Sequence, residues 1–311
     1  MALPSIADHL PMPGAAGVEA PFRPVGRGGC SFSDDLGLFG GDRLGVRVRV
    51  TDADPGWVID FRDSAPPKGT PSFGLTDGQA RTATAIAFGY ALGLEGPLDE
   101  NRFELLTDPE TWIGGPAAPE PAAIAFGMAR VFDAIVGALA NAWPGTVGAG
   151  SCSLGAIVGI GRATPSLVEV VAGGGGATPR QTGTDAWPGP ILPTLAIDPP
   201  PSWLTIRRST RSGSGGVGAR AGGAGVVARF EVREPAEAFV AIDRIDNPPH
   251  GVDRAGPGLG ARMRVELLGG GALAVRPWVR FELPAHATLV IETSGGAGHG
   301  FPGYGDIEWD G

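Results

Sequence analysis

The chain has 311 residues, 53 of them glycine and 30 proline; 42% are hydrophobic, only 18% are charged, and the formal net charge is −9. The acidic balance excludes a general nucleic-acid or anionic-membrane surface, since both need clustered positive charge. Seven tryptophans within so much apolar sequence exclude a disordered chain. Abundant glycine then means turns, bulges and close backbone approaches, which favour a loop-rich β architecture.

Two cysteines, Cys30 and Cys152, form neither a disulfide framework nor a metal spacing and read as reduced thiols. No apolar run reads as long enough to span a membrane. The start, MALPSIADHLPMPGAAG, has neither a basic opening nor a long apolar core. The expectation is a cytoplasmic chain.

Residues 1–29 are rich in Pro, Gly and Ala without a period and read as an extended arm. Order is expected from Arg43, where Leu44, Val46, Val48 and Val50 alternate with Gly45, Arg47 and Arg49 as a half-buried strand. Trp57–Phe61 completes a hairpin across the turn at 51–56. A helix is expected from Asp77 as N-cap, with Ala83, Ile86, Ala87, Tyr90, Ala91 and Leu94 on one face. A second opens at Pro121, carries Met128, Val131, Phe132, Ile135, Leu139 and Ala142 at helical spacing, and stops at Pro144. Strands are then expected at 166–171, 226–233, 237–243, 262–268 and 287–293. The fold class is α+β: the arm (1–29), a portion with the hairpin and helical pair (30–145), and a β-rich C-terminal portion (146–311) packed with it as one unit.

Between Arg207 and Arg229 lies a run dense in glycine and arginine, in which Gly213, Gly215 and Gly218 satisfy G-x-G-x-x-G. That motif holds a dinucleotide only where it follows a strand and opens a helix. Here it leads into the alternating residues 226–233, so Gly213, Gly215, Gly216, Gly218, Gly222, Gly223 and Gly225 read as a structural loop. No aromatic residue interleaves the arginines, as a single-strand stacking surface would require.

The four histidines show no metal-ligand spacing, and no metal site is expected within the chain. Ser151-Cys152-Ser153 lacks a nucleophile elbow, and Gly173–Gly176 reads as a turn in preference to an anion cradle. Neighbours on a strand face opposite ways, so Asp34 and Asp35 would not converge. Asp243-Arg244-Ile245-Asp246 reads as a solvated or locally paired loop. Arg211, Asp243, Arg244 and His250 stand as contact candidates without an assigned catalytic role.

Several phrases, in order along the chain, resemble the hydantoinase B/oxoprolinase family. Val58–Phe61 is similar to its "DFSGT" strand, although Arg62-Asp63-Ser64 departs from it. Leu98–Phe103 resembles the "LNxG" opening that leads to Trp112–Pro116, and Arg130–Ala134 the "RVxDAxxxAL" helix. Glu169–Ala177 is similar to "YExxxGGxGA", and Arg211–Gly225 to "DSGGxGxxRGGxG", with Arg211 where the family has Asp. Gly256–Gly258 and Ile291–Gly298 parallel "GGxPG" and "IxTPGGGGxG". Absent are the "NDPYxGGTH" and "HxxDxGG" phrases, to which the resemblance assigns metal and substrate chemistry.

The resemblance therefore implies a C-terminal half of such a subunit, similar to the small subunit of an acetophenone carboxylase. It implies an accessory part of a cytoplasmic, heteromeric ATP-dependent ketone carboxylase, or else of an ATP-dependent hydantoinase or oxoprolinase acting on a cyclic amide. The implied partners are hydantoinase A-like ATP-binding subunits, with or without a full-length hydantoinase B-like subunit. ATP and a divalent metal are expected on those partners and no cofactor in this chain.

Overall fold

The computed structural model describes residues 23–37, 43–54, 56–68, 73–118, 120–162, 165–191 and 200–301. Most of the arm, including His9, lies outside them. Its last residues rest on the chain's own surface: the Trp57 and Trp143 indoles donate to the carbonyls of Arg23 and Pro24, and the Arg23 guanidinium lies over the Trp143 ring.

The first sheet has the order β1-β2-β3-β4, with β1 Cys30–Gly37, β2 Arg43–Asp52, β3 Trp57–Asp60 and β4 Phe103–Leu106. The β2–β3 hairpin is antiparallel, and α1 (Asp77–Leu92) carries the chain over to β4, parallel to β3. Order begins earlier than Arg43: β1 pairs with β2 along its whole length. The N-cap of α1 is Thr76 rather than Asp77. Its hydroxyl accepts from the Gln79 amide while the Gln79 side chain accepts from the Thr76 amide, a reciprocal cap.

Helix α2 (Pro121–Ala142) packs on β1, β2 and α1. Its length and apolar composition would allow it to cross a membrane, contrary to the reading of the sequence, but it is mostly buried in the interior of the fold. Small residues make that possible. Gly137, for instance, lies against the ring of Phe32 on β1, where a Cβ would collide with it.

The C-terminal portion is a sandwich of two antiparallel sheets. One has the order β11-β10-β13-β8-β7, with β7 Leu204–Arg211, β8 Gly225–Val232, β10 Arg262–Glu266, β11 Ala272–Leu273 and β13 Thr288–Glu292. The other is β12-β9-β5-β6, with β5 Ala156–Gly161, β6 Pro165–Val171, β9 Ala236–Ile242 and β12 Arg280–Leu283. Val158, Ile160, Val240 and Leu283 of one sheet share a core with Phe230, Val232, Val265 and Ile291 of the other. The remaining core lies around α2 and draws on both portions of the chain, Trp278 and Ala297 included.

Between these cores, extended glycine-rich segments run without forming β-ladders. Successive amides of 295–298 donate to Leu259, Gly223, Gly150 and Gly256 in turn, returning to the first neighbouring segment after three residues. Gly174 and Ala177, three apart, donate to Ser294 and Ala297. Three residues per turn is the period of a polyproline II helix, and close packing of such helices leaves room only for glycine at the contact.

Candidate functional site

Charged residues converge where α2, β1 and the segment after β9 meet. On β1 the side chains alternate, so Asp34 faces inward while Asp35 faces out toward Arg43. Arg130 and Asp133 lie one helical turn apart on the buried face of α2. The Arg130 guanidinium donates to Asp34 at 2.6 Å and to Asp243, and Arg244 donates to Asp133 at 2.6 Å and lies 3.1 Å from Asp34. Asn247 donates to Asp34 at 2.6 Å, and the Ser153 hydroxyl donates to Asp133. None of the five ionisable side chains is more than 5% exposed.

Two guanidiniums thus face three carboxylates. Burial opposes ionisation of Asp34, but the guanidiniums of Arg130 and Arg244 outweigh it and hold the carboxyl well below the usual carboxylate range. At Asp133 burial wins over Arg244 and Arg130, so its pKa is raised and it is where the surplus negative charge is eased. His250 stacks on Phe32 with ring centroids 4.3 Å apart. Burial, then the nearby Arg244, push it down to about 4, so the ring is neutral at pH 7. Its Nε2 and the Nε atoms of Arg130 and Arg244 are buried with no hydrogen-bond partner among the described residues.

Tyr90 of α1 stands between this network and the surface. Its ring meets Phe132 and Trp187, with centroids 5.4 and 5.9 Å apart. Burial, then the charge of Asp133, raise its pKa against an opposing hydrogen bond with Ser151, so the phenol keeps its proton. The Ser151 hydroxyl in turn accepts from the Gly176 amide. On its outer side Tyr90 lines a cleft of about 350 Å³ with Trp187, Thr146, Thr182 and Thr184. Among the described residues the cleft offers hydroxyls and aromatic faces but no charged side chain and no nucleophile–base pair, so it suits a small neutral molecule.

The structure brings three sequence candidates together, Asp243, Arg244 and His250. The first two are 3% and 2% exposed, neither solvated nor ion-paired locally as the sequence suggests. Their partners are over a hundred residues distant, and desolvation is tolerated only because the charges pair. Arg211 lies elsewhere: it donates to the carbonyls of Gly260 and Thr293 and pairs with Glu292 at 3.2 Å. Of the seven glycines in the run, Gly213 alone has a positive φ, +74°; at the other six a Cβ would strike the backbone of a neighbouring segment. His299 bonds the Pro144 carbonyl at 2.8 Å. Among the described residues no three His, Cys, Asp or Glu side chains are grouped to hold a metal ion.

Sequence reasoning missed Asp34, Arg130 and Asp133. The signal was present in α2, where a charged pair three residues apart interrupts an otherwise apolar helix.

A family model described as hydantoinase B/oxoprolinase matches residues 6–302. Among solved structures, a nucleotide-free acetone carboxylase, from a study of ATP-dependent acetone carboxylation, superposes with a TM-score of 0.68 at 15% identity. It covers 88% of this chain and 46% of the other. An ATP-dependent caprolactamase from Pseudomonas jessenii superposes with a TM-score of 0.65 at 19% identity, covering 88% of this chain and 52% of its own. The chain spans about half the length of either. A search of the curated proteins gives no match.

Proposed function

Because the chain belongs to the hydantoinase B/oxoprolinase family, we propose that it serves as a scaffolding part of a cytoplasmic, heteromeric ATP-dependent carboxylase acting on a ketone. The observation that carries this reading is the closure of the charged network. Its guanidiniums and carboxylates answer one another out of contact with solvent, which suits a group that holds elements together rather than one that meets a substrate. In this reading ATP and a divalent metal reside on hydantoinase A-like partner subunits, with or without a full-length hydantoinase B-like subunit beside them. The likeness in fold to an acetone carboxylase supports the carboxylase assignment.

The likeness to a caprolactamase favours a second reading, in which the assembly hydrolyses a cyclic amide. One experiment separates the two. The chain is co-expressed with hydantoinase A-like subunits, and the purified assembly is assayed with ATP for fixation of labelled bicarbonate onto ketones and for opening of cyclic amides. Fixation only in the presence of the chain supports the first reading, and amide opening the second. ATP turnover or micromolar ATP binding by the isolated chain overturns the scaffolding role.

A further inference from the structure

On the outer face of the β7–β8–β13–β10 sheet, the carboxylates of Glu266 on β10 and Glu292 on β13 are already engaged. Glu292 pairs with Arg264 at 2.5 Å and with Arg211 at 3.2 Å; Glu266 pairs with Arg264 at 2.8 Å and with Arg229. Arg262 stands directly across the ladder from Glu292, is exposed, and forms no ion pair among the described residues. Four guanidiniums thus share two carboxylates in a chain that is acidic as a whole. Such a local surplus attracts an anion.

Arg262 and Arg264 rim a cleft of about 430 Å³ whose floor is apolar: Ile245, Met263 and Val275, half-buried on the margin of the sandwich core. Its size falls within the range of small-molecule sites. From this geometry we infer that the cleft binds a small aliphatic monocarboxylate, the carboxylate on the Arg262 guanidinium and the chain on Ile245, Met263 and Val275. A planar guanidinium fork matches a carboxylate through two parallel hydrogen bonds. The Glu292 carboxylate in the wall leaves one net positive charge among the lining side chains, which fits a monoanion rather than a phosphate dianion. Among the described residues no aromatic ring lines the cleft, which favours an aliphatic over an aromatic body. The site is independent of the assembly proposed above and is tested on the chain itself.

The test is calorimetric titration of the full chain with hexanoate, hexanamide and acetate. Saturable hexanoate binding is expected, weaker with added salt, with hexanamide inert and acetate weaker than hexanoate. Arg262→Ala lowers affinity about tenfold or more, as loss of a charge-assisted pair requires. Arg262→Lys, which keeps the charge but not the fork, recovers only part of it. Val275→Ser narrows the preference for hexanoate over acetate. Because Arg262 is exposed, both Arg262 variants should unfold at the parent temperature. Equal binding of hexanamide, or unchanged affinity in both Arg262 variants, overturns the proposal. An acetylated peptide ending in a leucine carboxylate that binds more tightly than hexanoate overturns it too, in favour of a peptide terminus.

Discussion

Arg130 donates hydrogen bonds to two of the three buried aspartates and lies 3.7 Å from the third, and removing it leaves Asp34 and Asp243 without their principal counter-charge inside the fold. Arg130→Ala is therefore expected to cost about 3–5 kcal/mol, read as a lower midpoint in urea denaturation. Unchanged stability would mean that water reaches the network. His250 makes a pH-dependent contribution of definite sign. Its pKa is about 4 in the folded chain against an ordinary 6.5, so below pH 6.5 the unfolded chain takes up a proton that the folded chain refuses. Stability is complete above pH 6.5 and falls between 6.5 and 4, by on the order of 3 kcal/mol from this residue. Denaturation curves at pH 7 and 4.5 check this, and His250→Asn should flatten the difference.

At the scale of elements, the glycine-rich segments separate two reasons for having no side chain. Gly213 has a positive φ but open space around its missing Cβ, whereas Gly215 and Gly223 press on the carbonyls of Gly222 and Thr184. Gly213→Ala should cost about 1 kcal/mol through backbone conformation. Gly215→Ala and Gly223→Ala should cost about 1–3 kcal/mol through forced displacement of a packed segment. Thermal midpoints of the three variants, compared in one buffer, check the order. If Gly215→Ala and Gly223→Ala keep their stability while the reconstituted assembly loses nucleotide affinity, the run contacts a ligand. Both helices were legible in the sequence, because a 3.6-residue apolar period between Pro121 and Pro144 has few other readings. So were β2, β3 and most of the sandwich strands. Strand β1 was not: its CSFSDDLG pattern turns a carboxylate inward, which reads as core only once Arg130 and Arg244 are placed against it. Nor was the three-residue bundle, whose hydrogen bonds join segments up to 147 residues apart, as between Ala297 and Gly150. The charged network was not legible: Asp243, Arg244 and His250 are near one another in sequence, but the charged partners Arg130 and Asp133 are over a hundred residues away, so Asp243-Arg244 read as a surface loop.

For the molecule as a whole, the charged network and Trp278 are among the features that join its portions. Carried on the stretch between β11 and β12, Trp278 reaches into the core around α2 and meets Phe73 and Phe126 edge-on, at 4.9 and 5.1 Å. Trp278→Ala should cost about 3–5 kcal/mol. Because both portions share that core, near-ultraviolet and far-ultraviolet signals should still be lost together; two separated transitions would show the sandwich folding independently. The glycine bundle bears on how such signals are to be read. Polyproline II geometry is also a major conformer of unfolded chains, so the intact protein should give a circular dichroism spectrum that suggests a partly random coil. Its amides at 174–177 and 295–298, each bonded to a neighbouring segment in the interior, that of Gly176 through the Ser151 hydroxyl, should nonetheless exchange with deuterium as slowly as those of the sheets. A spectroscopist relying on ellipticity alone would therefore take these segments to be less ordered than their isotope exchange reveals.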